Sequence, residues 1–174
     1  MRIAQSLYEK GLITYMRTDS VNLSSLAINT AKKYIVENMG EEYSKVRQYR
    51  TSSKGAQEAH EAIRPTYIEN TGIQGTAQEQ SLYRLIWNRT VASQMADAKV
   101  MRTDIRIASD KRQEKYALQT TEVLFDGFLK LYMEGTDDVE DDEEVILPSL
   151  SEGCSMAEMG IAAECKFTQA PPRY

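Results

Sequence analysis

The sequence is short of cysteine, histidine and positive charge, and it has no long apolar run. Its two cysteines, Cys154 and Cys165, have no companions at metal-ligand spacing. They read as reduced residues of a cytosolic protein, expected to stay unbonded even if a turn at Gly160 brings them near each other. No apolar stretch approaches the roughly 20 residues that span a bilayer, and no charged-then-apolar leader opens at Met1. A cytoplasmic chain without a membrane partner is therefore expected. The net charge of −5 lacks the basic surplus common among DNA binders. That deficit is local: Asp137 to Glu144 holds seven acids in eight residues, and without it the balance is about +2. The acidic run reads as a solvated loop, so the sign of the whole chain says little about any one site. No internal repeat appears, and 174 residues suffice for one or two small domains.

What is present is concentrated in Gly11-Leu12-Ile13-Thr14-Tyr15-Met16-Arg17-Thr18-Asp19-Ser20. From Thr14 to Ser20 it carries a phenol, a guanidinium, three hydroxyls and a carboxylate. If Thr14 to Arg17 run extended, side chains two apart share a face, which points Tyr15 and Arg17 the same way. A guanidinium offers a planar fork of donors for two phosphate oxygens and stays charged at any working pH. A phenol offers a nucleophile, provided something activates a group that titrates near ~10 when free. On residue types alone, a half-buried strand end is the commoner reading of Tyr-x-Arg.

Taken in order, Ile3 to Lys10 reads as a short helix closed by Gly11. It leads into an extended Ile13 to Arg17 and a polar turn over Thr18 to Asn22. Ser24 suits the N-cap of a second helix, with Leu26, Ile28, Ala31, Ile35 and Met39 as its apolar positions and Gly40 as its stop. Glu41 to Gly55 has no clean period and mixes Lys45, Arg47, Arg50 and Lys54 with Tyr43 and Tyr49. Such a loop is usually just exposed, although it suits tracking of a nucleic-acid backbone. Gln57 to Arg64 fits two helical turns ended by Pro65, which puts His60 and Arg64 on one face. Thr76 to Ala96 is the longest helix, with Leu82, Leu85, Ile86, Val91 and Met95 along one side and Trp87 next to them. After Ala98 the period falls to two. Lys99 to Ile107 and Tyr116 to Leu124 form a strand pair, and Leu129 to Met133, Ser155 to Met159 and Ala163 to Phe167 are further short strands.

GLITYMRTDS resembles the active-site tyrosine segment of type IA DNA topoisomerases. A second segment, Gln57-Glu58-Ala59-His60-Glu61-Ala62-Ile63-Arg64-Pro65-Thr66, resembles another motif of that family, in the same order and at the right distance. Met16 favours the bacterial topoisomerase I branch. Weaker similarity runs through Leu82 to Trp87, Phe125 to Phe128 and Phe167 to Tyr174, so the likeness covers nearly the whole chain but only the middle of such an enzyme. It implies a multidomain α+β protein: a mainly helical tyrosine domain over residues 1–97, a boundary near Asp97, and part of an antiparallel β domain over 98–174.

The resemblance also implies a mechanism. Tyr15 attacks a phosphodiester of single-stranded DNA, Arg17 holds the phosphate, and His60 makes a supporting contact. Thr14, Thr18, Asp19 and Arg64 are DNA- or phosphate-side candidates, with Asp19 orienting Arg17 and Arg64 either holding a phosphate or pairing with Glu61. No metal ligand is expected in this chain. Mg²⁺ and a general acid are expected from an N-terminal acidic domain of a longer parent, and a further helical domain beyond Tyr174. Two other readings stay open. A recombinase-like tyrosine enzyme needs several Arg and His around the phosphate, and His60 is the one histidine here. A non-catalytic interaction module would keep the fold without the chemistry.

Overall fold

The helices form where side chains can satisfy their ends. Arg2–Glu9 makes α1, and the chain turns at Gly11 with φ +70°, a left-handed conformation that favours glycine. Ser24 caps α2, Ser25–Met39: its hydroxyl accepts from the Ala27 N–H, and Gly40 at φ +113° stops the helix. Thr76 caps α3, Ala77–Ser93, reciprocally, since its hydroxyl accepts from the Glu79 N–H while the Glu79 carboxylate accepts from the Thr76 N–H. The computed structural model describes residues 1–49, 60–109, 113, 115–132, 150–155, 165 and 167. Residues Met1–Val139 form one compact unit and Glu140–Tyr174 another. Among the described residues no helix is long and apolar enough to cross a membrane.

α1 and α2 both pack on α3 around Leu7, Ile13, Ile35, Ile68, Tyr83, Trp87, Val91 and Met95. The inward face of α3 differs from the expected stripe. Tyr83, Trp87, Thr90 and Val91 are buried, whereas Leu85 is exposed and Leu82 and Ile86 lie at the margin. The polar atoms of the two rings explain the rotation. Trp87 Nε1 donates to the Ile68 carbonyl at 2.8 Å and the Tyr83 hydroxyl to that of Asn70 at 2.7 Å, partners that leucine cannot use. In α2 the buried residues are Ala27, Ile28, Ala31 and Ile35, while Leu26 projects into solvent at 75% exposure. Ala27, one position on, takes the inward place because it lies one turn before Ala31.

The expected strand pair is present, so the chain is α+β. β1 (Lys99–Ala108) and β2 (Lys115–Phe125) run antiparallel, from Val100 opposite Val123 to Ala108 opposite Lys115. Leu124 is the extra residue of a bulge, since Lys99 pairs with Phe125. At the root of the hairpin Gly127 has φ +50°, and a Cβ there would lie 2.6 Å from the Ala96 carbonyl oxygen. The Phe128 N–H donates to that same carbonyl at 3.0 Å. This docking winds Gly127–Lys130 into a 3₁₀ turn, in place of the strand expected from Leu129. The strands expected over Ser155 to Met159 and Ala163 to Phe167, and the Gly160 turn, fall almost wholly outside the described residues. Cys154 and Cys165 are free and exposed.

The basic loop is tied down in its described part. Lys45 and Arg47 both form ion pairs with Asp97, and Arg47 Nη1 also donates to the Met95 carbonyl at 2.6 Å. Lys45 and Arg47 hold the Asp97 carboxyl below the usual carboxylate range, Lys45 most strongly and against some desolvation. Tyr43 donates to Asp126 at 2.8 Å and Tyr49 to the Ser93 carbonyl at 3.2 Å. These side chains bind the loop to the end of α3 and the hairpin root. Arg50 and Lys54 lie outside the described residues.

Candidate active site

The site is built by two segments about fifty residues apart that stitch to one another. After the Gly11 turn, Ile13 bridges Pro65 in antiparallel fashion. The Thr66 N–H donates to the Leu12 carbonyl at 3.0 Å, and the Thr14 N–H to that of Arg64 at 2.9 Å. Thr14 adds its side chain: the hydroxyl donates to the Ala62 carbonyl at 2.8 Å and accepts from the Arg64 N–H at 2.9 Å. The Ala62 N–H reaches the Asn22 carbonyl at 2.7 Å. Backbone groups committed in this way are not available to an i→i−4 ladder. Residues 60–64 are accordingly not helical, contrary to expectation, and Gln57 to Ala59 lie outside the described residues.

Glu61 pins the second segment to the start of α2. Its carboxylate accepts from the Ser24 N–H at 2.8 Å and from Arg64 Nε and Nη2 at 2.8 and 2.9 Å. Burial pushes the Glu61 carboxyl up, but the Arg64 fork and the Ser24 N–H outweigh that and hold it below its ordinary value. Arg64 Nη1 completes the arrangement by donating to the Pro65 carbonyl at 2.9 Å. The Glu61–Arg64 pairing is legible as an acid three residues before a base. The link to Ser24 carries no sequence signal, because it depends on how two distant segments meet.

With these groups turned on one another, three others face outward together. Tyr15 and Arg17 are exposed with Met16 half-buried between them, so the expected alternation holds although only Ile13 is paired as a strand. The Tyr15 ring lies 5.8 Å from that of His60, and Arg17 Nη1 stands 3.5 Å from His60 Nε2. Arg17 Nε lies 2.8 Å from Asp19 Oδ2. The Tyr15 hydroxyl bonds no described residue, and Thr18, three residues on, is exposed. Tyr15, Arg17, His60 and Asp19 thus gather at one surface, with Thr14 and Arg64 in the stitching that carries it. One phosphate group is small enough for the first three to reach at once. Among the described residues no three of His, Cys, Asp and Glu come together as metal ligands. The described residues therefore offer no Mg²⁺ site.

Comparison with known proteins agrees along the full length. A family model described as DNA topoisomerase matches residues 1–174. All of the chain aligns with 15% of DNA topoisomerase 1 of Zymomonas mobilis at 44% identity, and with 20% of that of Synechococcus elongatus at 43%. A solved full-length topoisomerase I from Thermotoga maritima superposes with a TM-score of 0.63 at 34% identity, over 78% of this chain and 23% of that one. The chain therefore spans about a fifth of the length of these relatives.

Proposed function

Because the chain belongs to the bacterial-type DNA topoisomerase family, we propose that it is the tyrosine-bearing part of a type IA enzyme. Such an enzyme cleaves one DNA strand, passes another through and reseals the break, relaxing negative supercoils. The observation that carries this reading is the meeting of Tyr15, Arg17 and His60 at one exposed surface, through pairing of the two segments that hold them.

In this reading Tyr15 Oη attacks the phosphorus of a single-stranded DNA phosphodiester. A P–O(Tyr) bond forms as the P–O3′ bond breaks; the phenol gives up its proton and the departing 3′ oxygen takes one up. The products are a 5′-phosphotyrosyl end and a 3′-hydroxyl. One phosphodiester replaces another, so no ATP is needed and the reverse step reseals the strand. Arg17, with Nε occupied by Asp19, presents its remaining donors to the phosphate and stabilises the charge that grows on it. His60 supports that contact and Thr18 offers a hydroxyl to a neighbouring phosphate. Thr14 and Arg64 serve by holding the two segments together, and Asp19 by setting the direction of Arg17.

Residues 1–97 then constitute the tyrosine domain, and 98–174 contribute to a neighbouring β domain. Mg²⁺ and the proton donor for the 3′ oxygen are assigned to other parts of a protein of the relatives' full length, acting on DNA in the cytoplasm. The 174 residues alone are not expected to relax supercoiled DNA, since donors on phosphate oxygens supply only about 3–4 kcal/mol each against the roughly 8–23 kcal/mol by which enzymes lower barriers.

The test is to trap the covalent adduct. A full-length protein containing this sequence is mixed with a labelled single-stranded oligonucleotide and quenched with denaturant. Adduct is expected with the unaltered protein and none with Tyr15→Phe. Arg17→Ala should slow its formation by about 10²–10³-fold. An adduct on Tyr15→Phe would remove Tyr15 as nucleophile, and absence of adduct from the unaltered protein would favour a binding module without chemistry.

A further inference from the structure

Tyr8 touches the nucleophile's ring and has no part in the chemistry just described. Its ring centroid is 5.3 Å from that of Tyr15 at an interplanar angle of 67°, an edge-to-face pair within the favoured range for aromatic contacts. The two rings differ in the backbone that carries them. Tyr8 sits in α1 among anchored neighbours: Leu7 is fully buried, the Ser6 hydroxyl donates to Glu79 Oε1 at 2.7 Å, and Lys10 Nζ lies 2.5 Å from the same oxygen. Glu79 is itself only 7% exposed and belongs to the cap of α3. The Tyr8 ring is itself 42% exposed, but the helix that bears it is fixed to the core. Tyr15 lies beyond the Ile13 bridge on irregular backbone, is 46% exposed, and has a hydroxyl that bonds no described residue. A side chain so placed has several staggered χ1 wells open to it, whereas attack in the proposed reaction needs the phenol held in one direction.

We infer that Tyr8 is a positioning residue for the nucleophile: its ring braces that of Tyr15, with the His60 ring at 5.8 Å as the second support. An edge-to-face contact favours one arrangement over its alternatives by roughly 2- to 12-fold. The bracing acts on aim and not on DNA affinity. It needs the ring of Tyr8 and not its hydroxyl. This inference rests on Tyr15 being the nucleophile, so its test includes a readout that does not depend on that.

In the full-length protein, single-turnover cleavage of a saturating single-stranded oligonucleotide is compared with the oligonucleotide Kd. Tyr8→Leu should slow cleavage about 2- to 12-fold with Kd unchanged, and Tyr8→Phe should restore the rate. In the 174-residue chain itself, the ring signals of isotopically labelled Tyr15 should move in NMR spectra of Tyr8→Leu and stay in place in Tyr8→Phe. A raised Kd with an unchanged rate would overturn the inference, since Tyr8 would then stack on a base. A Tyr8→Phe variant as slow as Tyr8→Leu would overturn it too, because the hydroxyl and not the ring would matter. If the unaltered protein forms no adduct, the functional reading fails. The spectra still decide the bracing, and Tyr15 signals unmoved by Tyr8→Leu would end it.

Discussion

The segments that make the candidate site and the β1–β2 hairpin solve opposite problems. Residues 11–24 and 60–66 have little regular structure, yet Thr14, Glu61, Arg64 and the Ala62 N–H are all committed to hydrogen bonds that join them. Ile13 reaches inward to 2% exposure, and Ile68 just beyond to 1%. The hairpin has a continuous ladder from Val100–Val123 to Ala108–Lys115, and Val100, Met101, Val123 and Leu124 remain exposed. Regularity and fixation are therefore separate properties. A ladder organises a backbone without rooting it, and two strands alone are marginal in water. Irregular chain bolted to a helical core can hold three side chains at a surface, because its shape is set by particular hydrogen bonds.

The most forceful way to break this contrast is to loosen the core beneath the site. Trp87 is 4% exposed, packs edge-on against Tyr34 at 5.3 Å, and donates to the Ile68 carbonyl. Trp87→Ala should cost about 3–5 kcal/mol, and it also leaves that buried carbonyl without its donor. Thermal unfolding followed by circular dichroism should show a drop of many degrees. A loss below ~1 kcal/mol would mean that the loop carrying Ile68 and Pro65 does not depend on α3.

A smaller change tests the stitching directly. Thr14→Val keeps the shape of the side chain and removes the hydroxyl, which orphans the Ala62 carbonyl and the Arg64 N–H together. The expected loss is about 1–3 kcal/mol, with Thr14→Ser recovering most of it. If Thr14→Val were neutral in denaturant unfolding, the two segments would be held by backbone pairing alone.

The hairpin should hardly respond to an equivalent deletion. Val123 is 52% exposed, so Val123→Ala should stay within about 0.5 kcal/mol of the unaltered chain. A loss above ~1.5 kcal/mol would show that this face is packed in solution, and the contrast between the two regions would fail.

Much of this was legible in the residues, and the exceptions share a cause. Ser24, Gly40, Thr76 and the period-two runs fixed helix ends and strands, because capping and alternation are local. Tyr15, Arg17 and His60 were legible as candidate site residues only through the motif resemblance; spacing alone could not bring residue 60 to residue 15. Where local reading failed, a long-range polar partner decided. The rings of Tyr83 and Trp87 turn α3 toward acceptors on the 68–70 loop. The backbone of 62–66 pairs with 12–14 and 22 instead of coiling.

The smallest expected effect concerns the joint between α1 and α3. Glu79 accepts from Lys10, Ser6 and the Thr76 N–H, and these contacts, Lys10 foremost, hold its carboxyl down to about 2 from an ordinary value of 4.5. A carboxyl whose pKa is lower folded than unfolded stabilises the fold fully above the unfolded value. That contribution fades as pH falls toward the folded value. Between pH 8 and about 4.5 the joint should therefore contribute a constant amount, and from there toward pH 2 it should weaken steadily. Glu79→Gln removes the titration, so its stability should fall less steeply than that of the unaltered chain across this acid limb. Urea unfolding at half-unit pH steps provides the comparison. Parallel acid limbs would show that Glu79 is not what ties α1, and the tyrosine it carries, to the core.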